Sequence, residues 1–185
     1  MKMPISKLVE AQDIRDGDCV VDCGGYNGEY TEEVLKKHRV GVIVLEPTKE
    51  FYEKLVAKFK GKDVDILNIG LGGKTGKRIL HIGKRKNSTS LYPEWAYRPQ
   101  STEEVDIVSA KEFFEDISCQ VLKLNVEGAE YEILDVLPIK EIREILIQFH
   151  NIKNIDINFY REKLGKTHKR IYLGKNWEIW RQQNY

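Results

Sequence analysis

Two acidic residues and a group of glycines near the start of the chain have the types and spacing of a ligand-binding turn. Asp22 lies at the end of the apolar segment CVVDC, and the spacing D-x-G-x-x-x-G connects it to Gly24 and Gly28. Glu46 lies at the end of the next apolar segment, VIVLEP. A glycine-rich turn between a strand and a helix lets a ligand approach the backbone, and its free N–H groups favour anions. An acid at the same turn favours a cationic ligand instead.

The turn does not match the common nucleotide-binding patterns. Tyr26 and Glu29 stand where G-x-G-x-x-G requires its second and third glycines, and G-x-x-x-x-G-K-[ST] does not occur. S-adenosylmethionine carries an ammonium and a sulfonium, so it suits an acid at this position. Glu46 can accept hydrogen bonds from both ribose hydroxyls of an adenosine. We therefore predict a site for S-adenosylmethionine, with a tight turn between two surface acids as the alternative.

The predicted cofactor contacts lie at the ends of successive strands. After the third strand, the backbone or the amide of Asn68 is expected to face an adenine. The predicted cofactor-binding residues are Asp22, Gly24, Gly25, Tyr26, Gly28, Thr31, Glu46, Pro47, Asn68, Ile69, Gly70 and Asn125.

Polar residues interrupt the apolar segment LKLNVEGAEYEIL, which we predict to be the fourth strand and the helix after it. Alternation along a strand places Lys123, Asn125 and Glu127 on one side. Polar groups in a central strand are costly to bury unless they are paired or line a cavity. Glu130 is either a functional residue at this strand end or an acid that the helix dipole stabilises at the start of the next helix.

Glu127 and His150 are the candidate general bases, and Lys123 is the third predicted catalytic residue. A hydroxyl nucleophile benefits from a base, and an imidazole can accept a proton near neutral pH. A hydrogen-bonded structural histidine is the alternative for His150. No H-x-x-H or clustered carboxylate pattern is present, so we predict no metal requirement.

Short apolar runs alternate with amphipathic segments along the chain, which is typical of βαβ units. Strands are predicted at 19–23, 41–47, 64–70, 77–83, 105–108, 119–126 and 143–150, and helices at 28–38, 49–59, 109–116, 129–137 and 153–164, before a final hairpin that turns at 174–176. We therefore predict an α/β fold with a doubly wound, Rossmann-like sheet. This sheet is mostly parallel with a C-terminal antiparallel hairpin, and its ligand space lies at the strand carboxyl ends.

Residues 74–100 break this regular pattern within what we predict to be a single domain, residues 1–185. Seven basic residues stand there against Glu94 alone, together with Tyr92, Trp95 and Tyr97. Aromatic and cationic side chains together can bind sugars or single-stranded nucleic acid. The D/N-P-P-Y/F motif of nucleic-acid amino-methylating enzymes is missing at the fourth strand, so we expect a small-molecule or carbohydrate hydroxyl acceptor rather than nucleic acid. A solvated surface turn is the alternative.

The segments VVDCGGYNGEYT, VIVLEP, NIGLGGKTGK and LKLNVEGAEYEIL together resemble the FkbM family of S-adenosylmethionine-dependent methyltransferases, over about residues 17–150. The signature K-x-D-V-E-G-A-E-x-x-x-L is matched from Lys123 to Leu134, and Ser90–Leu91 is similar to the family's serine-containing loop. The resemblance implies a class I methyltransferase fold and O-methylation of hydroxyls on sugars or small metabolites. Asn125 departs from the family, which has an acid there.

Composition excludes several other classes of protein. A net charge of +1 argues against a general polyanion or membrane binder, and 41% hydrophobic residues are typical of a globular protein. The three cysteines form no disulfide pattern and the N-terminal residues have no signal-peptide core, so a cytoplasmic location is expected. A dehydrogenase and a catalytically inactive cofactor-fold binding module remain alternatives. The terminal hairpin is expected to pack within the sheet, with a homo-oligomer contact as the other interpretation.

Overall fold

A computed structural model of the chain describes residues 4–84, 89–93, 96–174 and 176–183. Within these residues the helices are α1 (Ile5–Glu10), α2 (Glu29–Lys37), α3 (Lys49–Lys58), α4 (Ala110–Glu115), α5 (Glu130–Val136) and α6 (Ile157–Gly165), with a 3-10 turn at Ile139–Glu141. The strands are β1 (Cys19–Cys23), β2 (Gly41–Leu45), β3 (Val64–Leu67), β4 (Gly70–Gly72), β5 (Gly76–Gly83), β6 (Pro99–Ser109), β7 (Val121–Leu124), β8 (Glu144–Gln148), β9 (His168–Leu173) and β10 (Trp177–Gln182).

Seven of these strands form the main sheet, in the order β3-β2-β1-β7-β8-β10-β9. The five strands from β3 to β8 are parallel, and β10 pairs antiparallel with both β8 and β9. The predicted doubly wound sheet with a C-terminal antiparallel hairpin is therefore confirmed. Chain order runs outward from β1 through β2 to β3 and then crosses to β7 on the other side of β1. The carboxyl ends of β1 and β7 thus form a topological switch point, where such sheets bind ligands.

Helices cover both faces of this sheet. Residues of α1, α2 and α3 pack with alternate strand residues in one apolar cluster, which includes Leu8, Val34 and Leu55. Residues of α4, α5 and α6 pack in the second cluster, which includes Phe113 and Ile133. Because the central strands are buried on both faces, they consist of nearly continuous apolar residues, and the few polar side chains within them need specific partners.

The region between β3 and β7 differs most from the prediction. The strand predicted at 64–70 is divided into β3 and β4, and the strand predicted at 105–108 extends over Pro99–Ser109. β4, β6 and β5 form a separate three-stranded sheet in which β6 pairs parallel with β4 and antiparallel with β5. Residues 99–104 are mostly exposed and polar, so their strand conformation depends on pairing with β5 and carries no apolar signal. Trp95, predicted to belong to an aromatic loop, lies outside the described residues.

The short helix α1 was not predicted, and buried ion pairs fix the segment that follows it. The Arg143 guanidinium, at the start of β8, binds the carboxylate of Asp18 and the main-chain oxygen of Asp13. Glu144 accepts hydrogen bonds from the main-chain N–H of Asp13 and from Arg181 on β10. These contacts attach residues 13–18 to the sheet, and they thereby hold α1 against α2.

Gly28 shows why a glycine is required where α2 begins. Its φ is +70°, and a Cβ atom there would lie 2.6 Å from the Phe59 ring and 2.8 Å from Leu55. The start of α2 therefore packs directly on α3, with room for a hydrogen atom but not for a methyl group. The cofactor contact predicted for Gly28 does not follow from this geometry, because Gly28 is buried against α3 and does not line the cavity described below.

Replacement of Gly28 by alanine should destabilise the fold more than the same change at Gly61. Gly61 has a similar φ of +76° but nothing within 4 Å of a Cβ atom, so Gly61→Ala should cost only the left-handed strain, about 1–2 kcal/mol. Gly28→Ala should cost this strain plus about 1–3 kcal/mol of overpacking. Urea unfolding of both variants measures the difference. Equal losses in the two proteins would contradict the packing argument.

Candidate functional site

A cavity of about 360 Å³ lies at the carboxyl ends of the main-sheet strands. Its walls extend from the start of α3, across the ends of β2, β1 and β7, to the start of β10. The predicted site residues that line it are Gly24, Gly25, Tyr26, Glu46, Pro47, Gly70, Lys123, Asn125 and Glu127. The structure therefore brings together residues that are up to 103 positions apart (127 − 24) in the sequence.

The glycines after β1 allow the turn that contains them to pack closely against the ends of β7 and β2. Gly24 has a φ of +83°, and a Cβ atom there would overlap the main-chain oxygen of Asn125. A Cβ atom on Gly25 would overlap Val44 of β2. The turn after β1 thus fits between the ends of β2 and β7, and larger residues would separate the strands that form the cavity floor.

Glu46 lines the cavity at its β2 end and is held by main-chain donors. One carboxylate oxygen accepts the N–H of Tyr26 at 2.8 Å and the other accepts the N–H of Thr48 at 2.9 Å. Burial raises the pKa of Glu46, although these two hydrogen bonds oppose the shift. Each carboxylate oxygen can accept more than one hydrogen bond, so acceptor capacity remains for two ligand hydroxyls. The rings of Tyr26 and Phe51, with centroids 4.6 Å apart, form the wall beside it.

Asp22 does not line this cavity, which corrects the prediction that it contacts a cationic ligand directly. Its side chain is fully buried, and its two oxygens accept Lys123 Nζ and the Thr31 hydroxyl, both at 2.7 Å. Lys123 is the residue directly opposite Asp22 in the β1–β7 pairing, and its ammonium also donates to the main-chain oxygen of Gly24. The negative charge is therefore compensated below the cavity wall. Thr31, predicted as a cofactor contact, supports Asp22 instead.

Two further predicted cofactor contacts lie outside the cavity. The amide of Asn68 donates to the main-chain oxygens of Glu46 and Pro47, at 2.9 Å in both cases, and therefore holds the chain after β2. Ile69 packs with the apolar cluster on the α4–α6 face. Gly70 is the residue of this segment that lines the cavity, and its contact with the cofactor stays a prediction.

Asn125 lines the cavity and carries a buried acceptor without a partner in the described part of the chain. Its side-chain oxygen is buried and accepts no hydrogen bond from any described residue, whereas its main-chain N–H donates to Cys23. An orphaned acceptor beside a glycine turn fits the ammonium group of an aminoacyl cofactor such as S-adenosylmethionine. The amide at this position therefore offers a neutral contact where a family carboxylate would offer a charged one.

His150 follows β8 and contacts Glu127 without lining the cavity itself. Its Nε2 atom lies 3.3 Å from Glu127 Oε2, and its side chain is 10% exposed. Burial on its own lowers the pKa of His150, but hydrogen bonds with Glu127 and Glu130 outweigh burial and raise that pKa to about 10. Both ring nitrogens face carboxylates, Glu130 at Nδ1 and Glu127 at Nε2. This geometry opposes the predicted general-base role of His150, because His150 does not line the cavity whereas Glu127 does.

Sequence reasoning missed several residues that line the cavity. Ile5 and Leu8 come from α1, and Phe51, Gln148 and Trp177 come from α3, β8 and β10. The four-residue spacing of Phe51 and Leu55 was a detectable helix signal, but it did not show which residue lines the cavity. The six-residue helix α1 has no side-chain cap, so it lacked a comparable signal.

Neither a metal centre nor a membrane segment is found in the described part of the chain. No group of three or more His, Cys, Asp or Glu side chains there is arranged to hold a metal ion. Among the same residues, none of the helices has both the length and the apolar character needed to cross a bilayer.

Comparison with solved structures shows the same fold at low sequence identity. An rRNA methylase from Streptococcus thermophilus shares 12% identity with a TM-score of 0.52, covering 98% of both chains. A precorrin-6y C5,15-methyltransferase from Geobacter metallireducens shares 10% identity with a TM-score of 0.55, covering 97% of this chain and 88% of the other. A putative tRNA (m1A22) methyltransferase from Streptococcus pneumoniae, in complex with S-adenosyl-L-methionine, shares 11% identity with a TM-score of 0.56, covering 98% and 73%. These likenesses establish the fold and leave the substrate open.

Comparison with protein families gives the more specific result. No curated protein matches the chain. The methyltransferase FkbM domain matches residues 22–173, which include the glycine turn, Glu46, the β7–α5 segment and His150. The predicted family, its class I methyltransferase fold and its S-adenosylmethionine cofactor are thereby confirmed. This chain belongs to the FkbM methyltransferase domain family.

Proposed function

We propose that this methyltransferase transfers a methyl group to a hydroxyl oxygen of a small or carbohydrate-like acceptor. The observation that carries the proposal is the placement of two carboxylates in one cavity, on opposite sides of the switch point. Glu46 lies at the β2 end and Glu127 follows β7. The first suits the ribose of the methyl donor, and the second suits an acceptor hydroxyl.

The donor would be held by residues of β2, β1 and β7. Glu46 would accept hydrogen bonds from the ribose hydroxyls, and the Tyr26–Phe51 wall offers an aromatic surface to the adenine. The unpaired oxygen of Asn125 would accept a hydrogen bond from the ammonium group. Gly24 lines the cavity and packs against the main chain of Asn125, where no side chain fits, so it places the glycine turn beside Asn125.

Bound S-adenosylmethionine supplies an electrophilic methyl carbon on a sulfonium. Alignment of the acceptor oxygen with that carbon is a large part of the catalysis, since positioning can contribute on the order of 7–11 kcal/mol. The acceptor oxygen would bond to the methyl carbon while the carbon–sulfur bond breaks. The electron pair of the broken carbon–sulfur bond would remain on sulfur. Glu127 takes up the hydroxyl proton and later releases it to solvent. The carboxylate therefore orients the hydroxyl before transfer and accepts the proton during it.

The cavity beyond Glu127 favours an uncharged acceptor. Gln148 and Trp177 are cross-strand neighbours on β8 and β10, and neither side chain makes a hydrogen bond to a described residue. An indole surface beside a free amide suits a ring with an apolar face and hydroxyl groups. The ammonium of Lys123 is compensated by Asp22, so it adds little attraction for a phosphate.

Two other functions make different predictions. An RNA substrate would agree with the rRNA methylase and the putative tRNA methyltransferase among the structural neighbours. These two proteins share at most 12% identity with the chain. The carboxylates of Glu29, Glu46 and Glu127 in the cavity lining oppose the entry of a phosphate backbone. A catalytically inactive module would bind the cofactor without turnover, and Asn125 in place of an acid is the feature that favours it.

Methyl transfer to a panel of acceptors tests the proposed reaction. We expect neutral glycosides and polyols to gain one methyl group on oxygen, measured by mass spectrometry and release of S-adenosylhomocysteine. Sugar phosphates should react more slowly, and total RNA should gain no methyl groups above a no-enzyme control. Methylated RNA with a steep salt dependence would overturn the choice of acceptor. Cofactor binding without turnover on any acceptor would favour the inactive module.

Glu46→Gln should weaken S-adenosylhomocysteine binding by about tenfold or more. Gln keeps the volume of Glu but removes the charge, and a hydrogen bond to a charged group contributes about 1.5–3 kcal/mol. Isothermal titration calorimetry measures the affinity, and Glu53→Gln is the matched control because Glu53 is exposed on α3. Unchanged affinity in Glu46→Gln would remove Glu46 from the donor site.

The Asp22–Lys123 pair should act on stability as a coupled unit. Removal of one partner leaves an uncompensated buried charge, at a cost of about 3–5 kcal/mol. Asp22→Asn and Lys123→Met should therefore each destabilise strongly, and the double variant should lose less than the sum. Urea unfolding of the four proteins gives the coupling energy, for which the exposed pair Glu50–Lys54 is the control. Additive losses would contradict the pairing.

A further inference from the structure

Glu130 is a fully buried carboxylate that does not line the cavity, yet its contacts converge on Glu127. Its Oε1 atom accepts the main-chain N–H of His150 at 2.7 Å and lies 2.7 Å from the ring Nδ1 of the same residue. Its Oε2 atom accepts the N–H of Gly128 at 2.8 Å. This one side chain therefore joins the start of α5 to the turn after β7 and to the end of β8.

The His150 ring lies between two carboxylates. Nδ1 faces Glu130 and Nε2 faces Glu127, at 2.7 and 3.3 Å. An ionised carboxylate can only accept hydrogen bonds, so each ring nitrogen must carry a proton to bond both partners. The raised pKa of His150 agrees with this geometry. The hydroxyl of Tyr131 donates to the main-chain oxygen of His150 and leaves the ring contacts unchanged.

The backbone at Glu127 is strained and is held from two sides. Its φ of +51° lies in the left-handed region, which costs a non-glycine residue about 1–3 kcal/mol, and Gly128 follows with a φ of +110°. The hydroxyl of Ser90, which is fully buried, donates to the main-chain oxygen of Glu127 at 2.6 Å. Glu130 holds the N–H of Gly128 on the other side.

We infer that Ser90, Glu130 and His150 are positioning residues that hold the Glu127 carboxylate toward the acceptor hydroxyl. Ser90 and Glu130 fix the backbone turn that carries Glu127, and the His150 cation fixes one oxygen of its carboxylate. His150 keeps both ring protons throughout the transfer, and the hydroxyl proton goes to Glu127. This inference rests on the proposed function, since it assigns the acceptor contact to Glu127.

A purely structural role for these residues makes a different prediction. A structural histidine donates through one ring nitrogen and is neutral at pH 8. The helix dipole, which contributes about 0.3–1 kcal/mol, would explain an acid at the start of α5. Both carboxylate oxygens of Glu130 instead accept hydrogen bonds from Gly128 and His150. The protonation state of His150 therefore distinguishes the two roles without any acceptor.

Nitrogen-15 NMR of the imidazole rings tests that protonation state. In the wild-type protein saturated with S-adenosylhomocysteine at pH 8, one ring should show both nitrogens protonated, and His150→Gln should remove that signal. Because the folded pKa is raised, this group stabilises the fold fully below about pH 6.5 and loses that effect as pH rises toward 10. The difference in unfolding free energy between wild type and His150→Gln should shrink over that range. A neutral His150 ring at pH 8 would overturn the inference.

Kinetics with the acceptor found by the hydroxyl panel test positioning. His150→Gln and Glu130→Gln should lower kcat by about 10²-fold, the size expected for a misplaced group, while the dissociation constant for S-adenosylhomocysteine changes less than twofold. His168→Gln is the matched control, because His168 is at least as buried as His150 and its ring contacts, with Thr167 and Ile142, lie outside the cavity. An equal fall in kcat for His168→Gln would show that lost stability, rather than lost positioning, lowers the rate.

Ser90→Ala tests the positioning role of Ser90 independently, with Ser109→Ala as its control. Ser109 is also a buried serine whose hydroxyl faces a main-chain oxygen, that of Gly73, in the smaller sheet. Ser90→Ala should lower kcat with little change in acceptor KM, and Ser109→Ala should leave both unchanged. A changed KM with unchanged kcat in Ser90→Ala would contradict the role. If no hydroxyl is methylated by the wild type, the proposed reaction fails, and the NMR result decides the charge state of His150 separately.

Discussion

The buried ion pair between Asp22 and Lys123 is the interaction on which the site depends. The two residues are opposite each other in the parallel pairing of β1 with β7, where the chain order of the sheet changes direction. Burying two charges is favourable only when their remaining hydrogen-bonding capacity is used, and Thr31 and the Gly24 oxygen do this. The pair thus fixes the register of the two strands whose ends form the cavity floor. Each charge is compensated by the other, although Lys123 itself lines the cavity.

Much of this arrangement could be predicted from local sequence, and the rest depends on distant partners. The position of Glu46 was predictable, because a strand and the turn that follows it are enough to place an acid at the carboxyl end of the sheet. The role of Asp22 was not, because its partner is 101 residues away and a single sequence does not pair them. The same applies to His150. A histidine suggests proton transfer, but the pKa of this one is raised by Glu127 and Glu130, which belong to another segment.

The smaller sheet and α1 illustrate a second limit. Both cover the cavity, yet neither forms from a strong local signal: α1 has six residues, and β6 begins with exposed polar residues that need β5 as a partner. Their conformation is a consequence of tertiary contacts. Arg78 of β5 binds Glu132 of α5 at 2.6 Å and so attaches the smaller sheet to the helix that follows the Glu127 turn. The smaller sheet, which covers the cavity, and the turn that carries Glu127 are therefore connected.

The contact between His150 and Glu127 is consistent with the demands of the proposed methyl transfer to oxygen. A hydroxyl group becomes strongly acidic as its oxygen bonds to carbon, so the base that takes its proton need not be strong before transfer begins. It must be unprotonated and correctly aimed. A neighbouring cation favours the ionised form of a carboxylate, and a strained turn held by Ser90 and Glu130 restricts its direction. In this arrangement the contacts around Glu127 restrict its orientation, and in the proposed reaction the cofactor's reactivity supplies the driving force.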